Sequence, residues 1–328
     1  MSFENLFLES GLFSLFDSNP VTYVDIGTRG GFESDLLPIA FCTNVVGFEP
    51  EEGECSYLQK LSRTPWKSRL ILPNAVGDTN QSARLYIPED PRAASLLRAK
   101  KEICDPFHKT QFFDPIRELE VEMATLRHSL HEVGILDVDY LKIDVEGAEH
   151  LIIASSQDII AELGAIKLEV SFLPFRENHP VAAELELSMS ELGFQLFDLL
   201  KPAHWRYQGD IIHPFADDLP IPYSKGQLVH GDYLFFRRID KLRFDSENDL
   251  KKALKTAILA MAFGYFDYAH RILKHRSILD TISALKIKDV EKQLGYLSRR
   301  YGRKAFRDAM WRHARLCFTY LSNLGLAR

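Results

Sequence analysis

The β-rich segment Val21–Ile26, which runs directly into a glycine-rich loop, constrains the fold more than any other feature of the sequence. The loop reads Gly27-Thr28-Arg29-Gly30-Gly31. Glycine has no Cβ, so it lets a chain turn sharply after a strand and lets a ligand approach the backbone. Similar β-rich segments then alternate along the chain with segments whose apolar residues have helical spacing. This alternation predicts a mostly parallel β-sheet with helices on both faces.

The same patterns predict how the chain is divided. We predict further strands at residues 45–49, 70–72, 84–88, 117–124, 140–144, 165–172, 194–199 and 233–237, and helices at residues 3–16, 32–42, 51–61, 125–133, 147–155, 182–192, 250–264 and 266–274. No convincing strand follows residue 247. The predicted parts are therefore an N-terminal helix (1–19), an α/β domain (20–240) and an all-helical C-terminal appendage (241–328).

A proline-rich excursion, residues 89–115, separates two of the predicted strands. Loops over the edge of an α/β sheet are common places for substrate contacts. Two interpretations stay open for this segment: a lid over a substrate, or a mobile loop.

Charge is distributed unevenly along the chain. Residues 240–328 carry 19 basic and nine acidic residues, whereas the rest of the chain carries 21 and 37. Within the basic part, residues 299–315 combine arginines with aromatic residues at helical spacing. Such a helix could approach an anionic membrane surface or an acidic partner, while nothing points clearly to nucleic acid. It could equally pack on its own chain or on a second copy in a homo-oligomer.

Several features favour a soluble, cytoplasmic protein. No apolar run is long enough to cross a membrane, and an acidic residue stands near the N-terminus where a secretory signal has basic ones. The four cysteines show neither CxxC pairing nor the spacing of zinc ligands, which predicts reduced thiols. No metal site is predicted from the sequence.

Glu49 indicates which kind of cofactor the glycine loop could bind. It ends the predicted second strand, 22 residues after Gly27, where a carboxylate can accept hydrogen bonds from both hydroxyls of a ribose. The loop matches neither G-x-G-x-x-G nor a phosphate-binding P-loop. S-adenosylmethionine has a ribose but no phosphate. Its amine could be met by Asp25, which could instead be a structural acid bonded to its own loop, and its carboxylate by N–H groups of residues 27–30.

Five motifs then carry a resemblance to a known family. They are Asp25-Ile-Gly27, Gly47-Phe-Glu49-Pro50, Asn74-Ala75-Val-Gly77, Thr125-Leu126 and the long string Asp139-Tyr-Leu-Lys142-Ile-Asp144-Val-Glu146-Gly-Ala-Glu149. In this order, over roughly residues 20–200, they resemble the FkbM family of methyltransferases. The resemblance implies a Rossmann-like class I methyltransferase fold with a seven-stranded sheet, and S-adenosylmethionine as methyl donor. It also implies methylation of a hydroxyl, often on a sugar, glycan or related small molecule.

The resemblance also implies roles for individual residues. Glu49, followed by Pro50, would bind the ribose, and the Asn74–Ala75 turn would lie beside the adenine. The loop departs from the family's common G-A-N-x-G pattern at Thr28 and Arg29, so its contacts are not predicted by the family. The basic helical tail has no counterpart in the resemblance.

Asp144 and Glu146 are the predicted catalytic carboxylates. They end a central strand, and residues two apart on a strand point to the same side. Paired carboxylates can raise the pKa of one member, which suits a general base toward an alcohol. Asp144 is also expected beside the cofactor, and Lys142 completes the catalytic set as a residue that pairs with an acid. Glu146 and Glu149 could instead be first-turn acids of the next helix.

Acceptor-binding residues are predicted near the later strands. Glu169 ends the predicted fifth strand of the parallel series, and His204, Trp205 and Tyr207 form a candidate sugar-binding loop. The alternative for these aromatic residues is hydrophobic cover. Two other functional classes stay open: a nucleotide-cofactor enzyme on a related fold, and an inactive methyltransferase-like binding protein.

Overall fold

A computed structural model of the chain describes residues 2–207 and 226–323, with side chains to residue 319. The strands are β1 (Val21–Ile26), β2 (Thr43–Phe48), β3 (Ser68–Leu72), β4 (Ala75–Gly77), β5 (Gln81–Ile87), β6 (Arg117–Thr125), β7 (Tyr140–Ile143), β8 (Ala165–Ser171), β9 (Phe194–Trp205) and β10 (Gln227–Arg237). The helices are α1 (Phe3–Leu8), α2 (Phe13–Ser18), α3 (Glu52–Lys60), α4 (Lys101–Cys104), α5 (Thr110–Phe113), α6 (Leu126–Glu132), α7 (Glu149–Ser155), α8 (Gln157–Ile160), α9 (Ala182–Glu191), α10 (Glu247–Phe263), α11 (Phe266–Leu273), α12 (Arg276–Ala284) and α13 (Val290–Asn323). Short 3-10 helices occupy Ser34–Cys42, Pro91–Ala93, Asp105–Phe107 and Ile239–Lys241.

Seven strands form the main sheet, in the order β3-β2-β1-β7-β8-β10-β9. Strand β7 is parallel to both β1 and β8, whereas β10 runs antiparallel to its neighbours β8 and β9. The central strand β7 is buried at every position, as expected of a strand covered on both faces. This mostly parallel sheet with one reversed strand confirms the predicted class I methyltransferase fold.

Two of the predicted strands belong to a second, smaller sheet, of order β4-β6-β5. Strands β5 and β6 pair antiparallel, from Gln81 opposite Met123 to Ile87 opposite Arg117. One side of this sheet buries Leu85 and Val121 in a cluster of its own. Alternating apolar residues predicted both strands, but they carry no information about which strand would be the partner, and the three-residue β4 is too short to show a pattern.

Two predicted helices have different structures. Residues 32–42 were expected to be α-helical, but Ser34–Cys42 is a 3-10 helix with a kink at Ile39. Pro38 lies inside it and cannot donate a backbone hydrogen bond, which disfavours a regular α-helix. The predicted N-terminal helix is split into α1 and α2. The break lies where the Ser10 hydroxyl donates to the Phe7 carbonyl oxygen at 2.8 Å and accepts from the Leu12 amide at 3.3 Å.

The described chain forms two compact units. One comprises residues 21–33 and 44–242 and contains both sheets; the other comprises residues 1–20, 34–43 and 243–328. Within the second unit, α11 contacts α10 and α13, and α13 contacts α1. The predicted division into residues 1–19, 20–240 and 241–328 stays a prediction. Among the helices of the described residues, none is both long and apolar enough to span a lipid bilayer.

Gly27 lies where the ends of β1 and β7 come closest. The Asp144 amide donates to the Ile26 carbonyl oxygen at 3.0 Å, which holds the two strand ends together. Gly27 has a φ of +90°, and a Cβ added to it would lie 1.9 Å from the Asp144 carbonyl oxygen. Glycine is therefore required here both by the backbone conformation and by the neighbouring strand.

We expect Gly27→Ala to destabilise the protein by about 4 kcal/mol or more, because the new methyl group must displace the end of β7. Gly30→Ala is the matched control, since Gly30 also has a positive φ, +77°, but no atom lies within 4 Å of an added Cβ. That change should cost only about 1–2 kcal/mol of backbone strain. Urea unfolding of the two variants measures the difference. Equal losses in the free energy of unfolding would show that the end of β7 moves aside for the methyl group with no loss of stability.

Candidate functional site

A cavity lies at the carboxyl ends of the strands β1, β2, β3 and β7, where the loops following these strands converge. Ligands of open α/β sheets bind at this edge. Its lining residues are Ile26, Gly27, Arg29, Phe48, Glu49, Pro50, Asn74, Ala75, Val76, Leu85, Pro91, Arg92, Ala94, Ser95, Leu96, Asp144, Val145 and Glu146. The cavity thus brings together most of the predicted cofactor residues with the predicted catalytic carboxylates.

Glu49 is held at the cavity wall by contacts to one of its two carboxylate oxygens. Oε1 accepts a hydrogen bond from the Glu51 amide at 2.9 Å and lies 3.3 Å from Nη2 of Arg29. Among the described residues, none forms a hydrogen bond or an ion pair with Oε2. Burial raises the pKa of Glu49, although the Glu51 amide and the Arg29 guanidinium oppose the rise. The residue therefore presents one uncommitted acceptor atom to the cavity.

The Arg29 side chain, at the position where the loop departs from the family's common pattern, takes part in a cluster of ion pairs. Its guanidinium is paired with both Glu49 and Glu51, and Glu51 also accepts from Nη2 of Arg117 at 2.7 Å. The side chain is only 16% exposed, so the ion pairs are largely shielded from solvent. Arg29 thus lines the cavity as part of a charge cluster that holds Glu49 in place.

The amides of the glycine loop are mostly used within the protein. The amides of Gly27 and Thr28 both donate to the Phe48 carbonyl oxygen, that of Gly30 to Glu54, and that of Gly31 to the Thr28 carbonyl oxygen. Only the Arg29 amide has no partner among the described residues. The predicted contact of this loop with a ligand carboxylate therefore rests on one amide.

Asp25 and Thr28 lie beneath the cavity. Asp25 is completely buried and accepts from the Tyr23 hydroxyl at 2.9 Å and from Nζ of Lys142 at 3.1 Å. Burial raises the pKa of Asp25 to about 6, against the attraction of Lys142. The Thr28 hydroxyl donates to the Asp25 carbonyl oxygen and accepts from the Phe48 amide, which ties the loop to β2. Among the described residues the Asp25 carboxylate is thus bonded to Tyr23 and Lys142 and not to its own loop, and its role toward a cofactor stays a prediction.

Asn74 and Ala75 form the wall between β3 and β4. The Asn74 side-chain amide donates to the Ser129 hydroxyl at 2.9 Å and to the Ala75 carbonyl oxygen at 3.2 Å. These bonds fix the turn against α6, whose N-cap is Thr125, as predicted. The turn therefore presents a shaped, partly apolar surface to the cavity.

The Lys142 side chain lies near the carboxyl ends of β1 and β7. Its Nζ is 3.1 Å from Oδ1 of Asp25 and 3.1 Å from Oδ2 of Asp144. Its side chain is 4% exposed, and burial alone would lower its pKa. The carboxylates of Asp144, Asp25 and Glu33 outweigh burial and hold the pKa of Lys142 well above its ordinary value. Lys142 therefore stays charged and orients Asp144, whose side chain is 33% exposed toward the cavity.

Arg176 holds Glu146 and was not found by reasoning from the sequence. Its Nη2 donates to Oε2 of Glu146 at 2.9 Å and to the Ala93 carbonyl oxygen at 2.8 Å, and its Nη1 to the Leu97 carbonyl oxygen at 3.2 Å. Burial raises the pKa of Glu146 in spite of this arginine. Arg176 thus connects the excursion to the carboxylate, and nothing in its local sequence indicates that role.

The excursion is built of short helices that are hydrogen-bonded to the loop around Arg176. The Lys100 amide donates to the Phe175 carbonyl oxygen, and the Glu177 amide to the Arg98 carbonyl oxygen. Ser95 is buried, and its hydroxyl donates to the Glu146 carbonyl oxygen at 2.8 Å. The excursion therefore forms one wall of the cavity, next to the two catalytic candidates.

Glu149 supports the turn that carries Glu146. Its Oε1 accepts from the amides of Val145 at 3.0 Å and Gly147 at 3.1 Å, while Oε2 is buried without a hydrogen-bond partner. Glu146 itself has a φ of +59°, an uncommon conformation for a residue with a side chain. Glu149 therefore stabilises a strained turn from below and does not reach the cavity.

Three carboxylates come together at the rim of the site. Asp144, Glu146 and Glu169 each offer an oxygen within 4.8 Å of the others, and these three could hold a divalent cation. Burial and the neighbouring carboxylates Glu146 and Asp144 raise the pKa of Glu169 well above its ordinary value. Oε1 of Glu169 also lies 3.5 Å from Nδ1 of His230, a residue that the sequence did not indicate.

The other acceptor candidates lie apart from the lining residues of the cavity. His204 and Trp205 were placed in a loop, but β9 extends through both. It tolerates Pro202 because it is the edge strand of the sheet. Trp205 is buried against Phe113 and Phe175 under the excursion, and the exposed His204 pairs with β10.

Tyr207 follows β9 and is 62% exposed, with its ring centroid 4.4 Å from that of Phe107. The Trp205 side chain therefore provides hydrophobic cover in the described residues, and only Tyr207 and His204 present polar atoms at the surface.

Comparison with known proteins gives the family. Residues 25–196, just over half of the chain, match the methyltransferase FkbM domain. The chain belongs to the FkbM methyltransferase family. No curated protein matches it. The cavity, Glu49 and the Asp144–Glu146 pair thus lie within the FkbM domain.

Solved structures similar to this FkbM protein are distant. One is a protein from Pyrococcus horikoshii proposed to be an RNA methyltransferase, with 13% identity, a TM-score of 0.33, and coverage of 72% of this chain and 81% of the other. Another is a domain from Corynebacterium diphtheriae proposed to be a precorrin-6Y C5,15-methyltransferase, with 10% identity, a TM-score of 0.27, and coverage of 69% and 93%. Neither likeness carries an argument about function.

The buried Glu149 predicts a pH-dependent stability. Burial raises its pKa from 4.5 to about 7, against the hydrogen bonds from the backbone. The folded protein then holds this proton more tightly than the unfolded chain, so the free energy of unfolding falls as the pH rises through that interval. Between the two pKa values of 4.5 and about 7, the free energy of unfolding of wild type should fall by up to about 3 kcal/mol relative to that of Glu149→Gln. Urea unfolding measures this difference.

Glu149→Gln keeps an oxygen for both amides, so it tests the ionisation of the carboxyl with little change in packing. Glu132→Gln, at an exposed position of α6, is the control and should parallel wild type. A constant difference between wild type and Glu149→Gln at every pH would contradict a raised pKa.

Proposed function

We propose that this FkbM protein transfers a methyl group from S-adenosylmethionine to a hydroxyl of a sugar, glycan or related small molecule. The observation that carries the proposal is Glu49. Its Oε2 is uncommitted at the cavity wall, beside the Gly27 turn, while Asp144 and Glu146 line the same cavity. An acceptor for ribose hydroxyls and a pair of carboxylates for proton transfer thus share one space.

The cavity residues fit this cofactor. Glu49 would accept hydrogen bonds from the ribose, the Asn74–Ala75 turn would contact the adenine, and the Arg29 amide would meet the carboxylate of the methionine part. Pro50 and Leu85 supply apolar surface. When bound, S-adenosylmethionine supplies a methyl group on a positively charged sulfonium centre, near which carboxylates are favourable.

Methylation of an alcohol requires that its proton be removed near the transition state. We assign this role to the Asp144–Glu146 pair, both of which line the cavity. Lys142 orients Asp144 and Arg176 orients Glu146, so both carboxylates are held in fixed positions. The excursion brings Ser95 and Arg92 to the wall of the same cavity, where they are placed to contact an acceptor.

Calorimetric titration tests the cofactor site. We expect wild type to bind S-adenosylmethionine and S-adenosylhomocysteine in the micromolar range, and Glu49→Ala to bind both about tenfold or more weakly. The loss follows from removal of charge-assisted hydrogen bonds, worth roughly 1.5–3 kcal/mol.

Glu52→Ala is the matched control, because Glu52 is exposed at the start of α3 and does not line the cavity. It should bind as wild type does. If folded wild type binds neither compound, the proposed cofactor is wrong and a binding protein without methyltransferase activity is favoured.

Turnover tests the carboxylates. With an acceptor found by screening sugar and glycan hydroxyls for release of S-adenosylhomocysteine, Asp144→Asn should lower kcat by about 100-fold or more. Because Asn keeps the size of the side chain and Lys142 keeps Asp25 and Glu33 as partners, the variant should still fold. Asp78→Asn, at an exposed turn, is the control. Near-normal kcat in Asp144→Asn would remove Asp144 from the mechanism.

A further inference from the structure

The long C-terminal helix α13 is anchored only along its first half. Leu294 and Leu297 are buried, and the Tyr301 ring lies 4.6 Å from that of Phe3 and 5.2 Å from that of Phe266. Nη2 of Arg300 lies 3.0 Å from Oε2 of Glu9. From residue 306 to residue 319, by contrast, no described side chain is buried.

The second half of α13 carries four large apolar side chains on one side of the helix. Phe306, Met310, Trp311 and Phe318 are 67%, 57%, 76% and 67% exposed. At the helical period they fall within an arc of roughly 140°, which also contains Ala314 and Arg307. Scattered exposed apolar residues need no explanation, but four large ones on one face of one helix do. We call this surface the α13 apolar face.

Arginines lie within and beside the α13 apolar face. Residues 299–319 contain seven lysines and arginines and a single acid, Asp308, which is paired with Lys304 at 2.9 Å. Arg307 and Arg315 each lie one turn from Trp311 and are exposed. The surface therefore combines large apolar side chains with net positive charge.

We propose that the α13 apolar face docks on an anionic lipid surface. A helix with tryptophan and phenylalanine on one face and arginines beside it lies in the plane of a membrane interface. There the aromatic rings enter the acyl boundary and the arginines contact lipid phosphates. The proposal is independent of the proposed methyl transfer, since none of these residues lines the cavity.

Charge favours lipid over a second copy of this helix. Two copies packed face to face would bring the arginines of one helix against those of the other, with few acids to separate them, and like charges at close range are unfavourable. An anionic bilayer supplies negative charge together with an apolar layer. Arginine and aromatic residues could also contact RNA, so nucleic acid is an outcome that the experiment must distinguish.

Co-sedimentation with vesicles and tryptophan fluorescence test the proposal. Wild type should sediment with phosphatidylcholine vesicles that contain phosphatidylglycerol, bind pure phosphatidylcholine about tenfold more weakly, and be released by salt. Trp66 and Trp205 are buried whereas Trp311 is exposed, so a blue shift on addition of vesicles reports mainly on Trp311.

Two double variants separate the apolar and the charge contributions. Phe306→Ser/Trp311→Ser should weaken binding to the anionic vesicles by about tenfold or more, and Arg307→Gln/Arg315→Gln should abolish the preference for phosphatidylglycerol. The matched controls are Ile116→Ser/Leu136→Ser, two exposed apolar residues of the sheet-containing unit, and Arg63→Gln/Lys67→Gln, two exposed basic residues of that unit. Both controls should bind vesicles as wild type does.

Three results would overturn the proposal. One is wild type that stays in the supernatant with anionic vesicles. Another is a dimer in light scattering that Trp311→Ser converts to a monomer, which would identify a second copy as the occupant. The third is tight binding of single-stranded RNA, lost in Arg307→Gln/Arg315→Gln, without binding to vesicles. Thermal unfolding of each variant checks that a loss of binding is not caused by a loss of the fold.

Discussion

The ion cluster around Lys142 joins the two central strands at the edge of the sheet where the cavity lies. Its ammonium group lies 3.1 Å from carboxylate oxygens of both Asp25, on β1, and Asp144, which follows β7. Removing one partner of such a buried pair typically costs about 3–5 kcal/mol, because the other charge is left uncompensated. The cluster therefore constrains everything above it. The same ammonium group compensates the buried Asp25 carboxylate and orients Asp144, which lines the cavity.

Burial raises the pKa of the other acids of this edge, whichever partner each one has. Glu146 has Arg176, and its pKa is nevertheless raised by burial. Glu149 has two backbone amides and one unpartnered oxygen, and its pKa is raised to about 7. Glu169 lies 3.5 Å from His230, and burial together with the neighbouring carboxylates raises its pKa well above the ordinary value. A raised pKa makes a carboxylate a stronger proton acceptor when it is ionised, which suits the proposed removal of a proton from an alcohol.

The parts of this structure that the sequence predicts are those with a local signature. Both ends of β1 are predicted correctly because a β-rich run stops at a glycine, and Glu49 and Asp144 come to the cavity because each follows a parallel strand. The small sheet and Arg176 are different. Arg176 contacts carbonyl oxygens of residues 83 and 79 positions earlier in the chain, and no local pattern encodes such a distance. His204 and Trp205 were misplaced for a related reason, since Pro202 indicates a loop unless one knows that β9 is an edge strand.

Arg29, where the loop departs from the family's common pattern, helps to fix the orientation of Glu49. It pairs with Oε1 of Glu49, and that oxygen also accepts the Glu51 amide, so two donors share one atom and the second oxygen stays uncommitted. Without the guanidinium, the Glu51 amide would be the one described donor left to the Glu49 carboxylate. The arginine thus adds a second restraint, and part of the entropy of orienting the carboxylate is lost on folding rather than on binding. For the proposed cofactor, such a fixed carboxylate would reduce the entropy cost of binding a ribose.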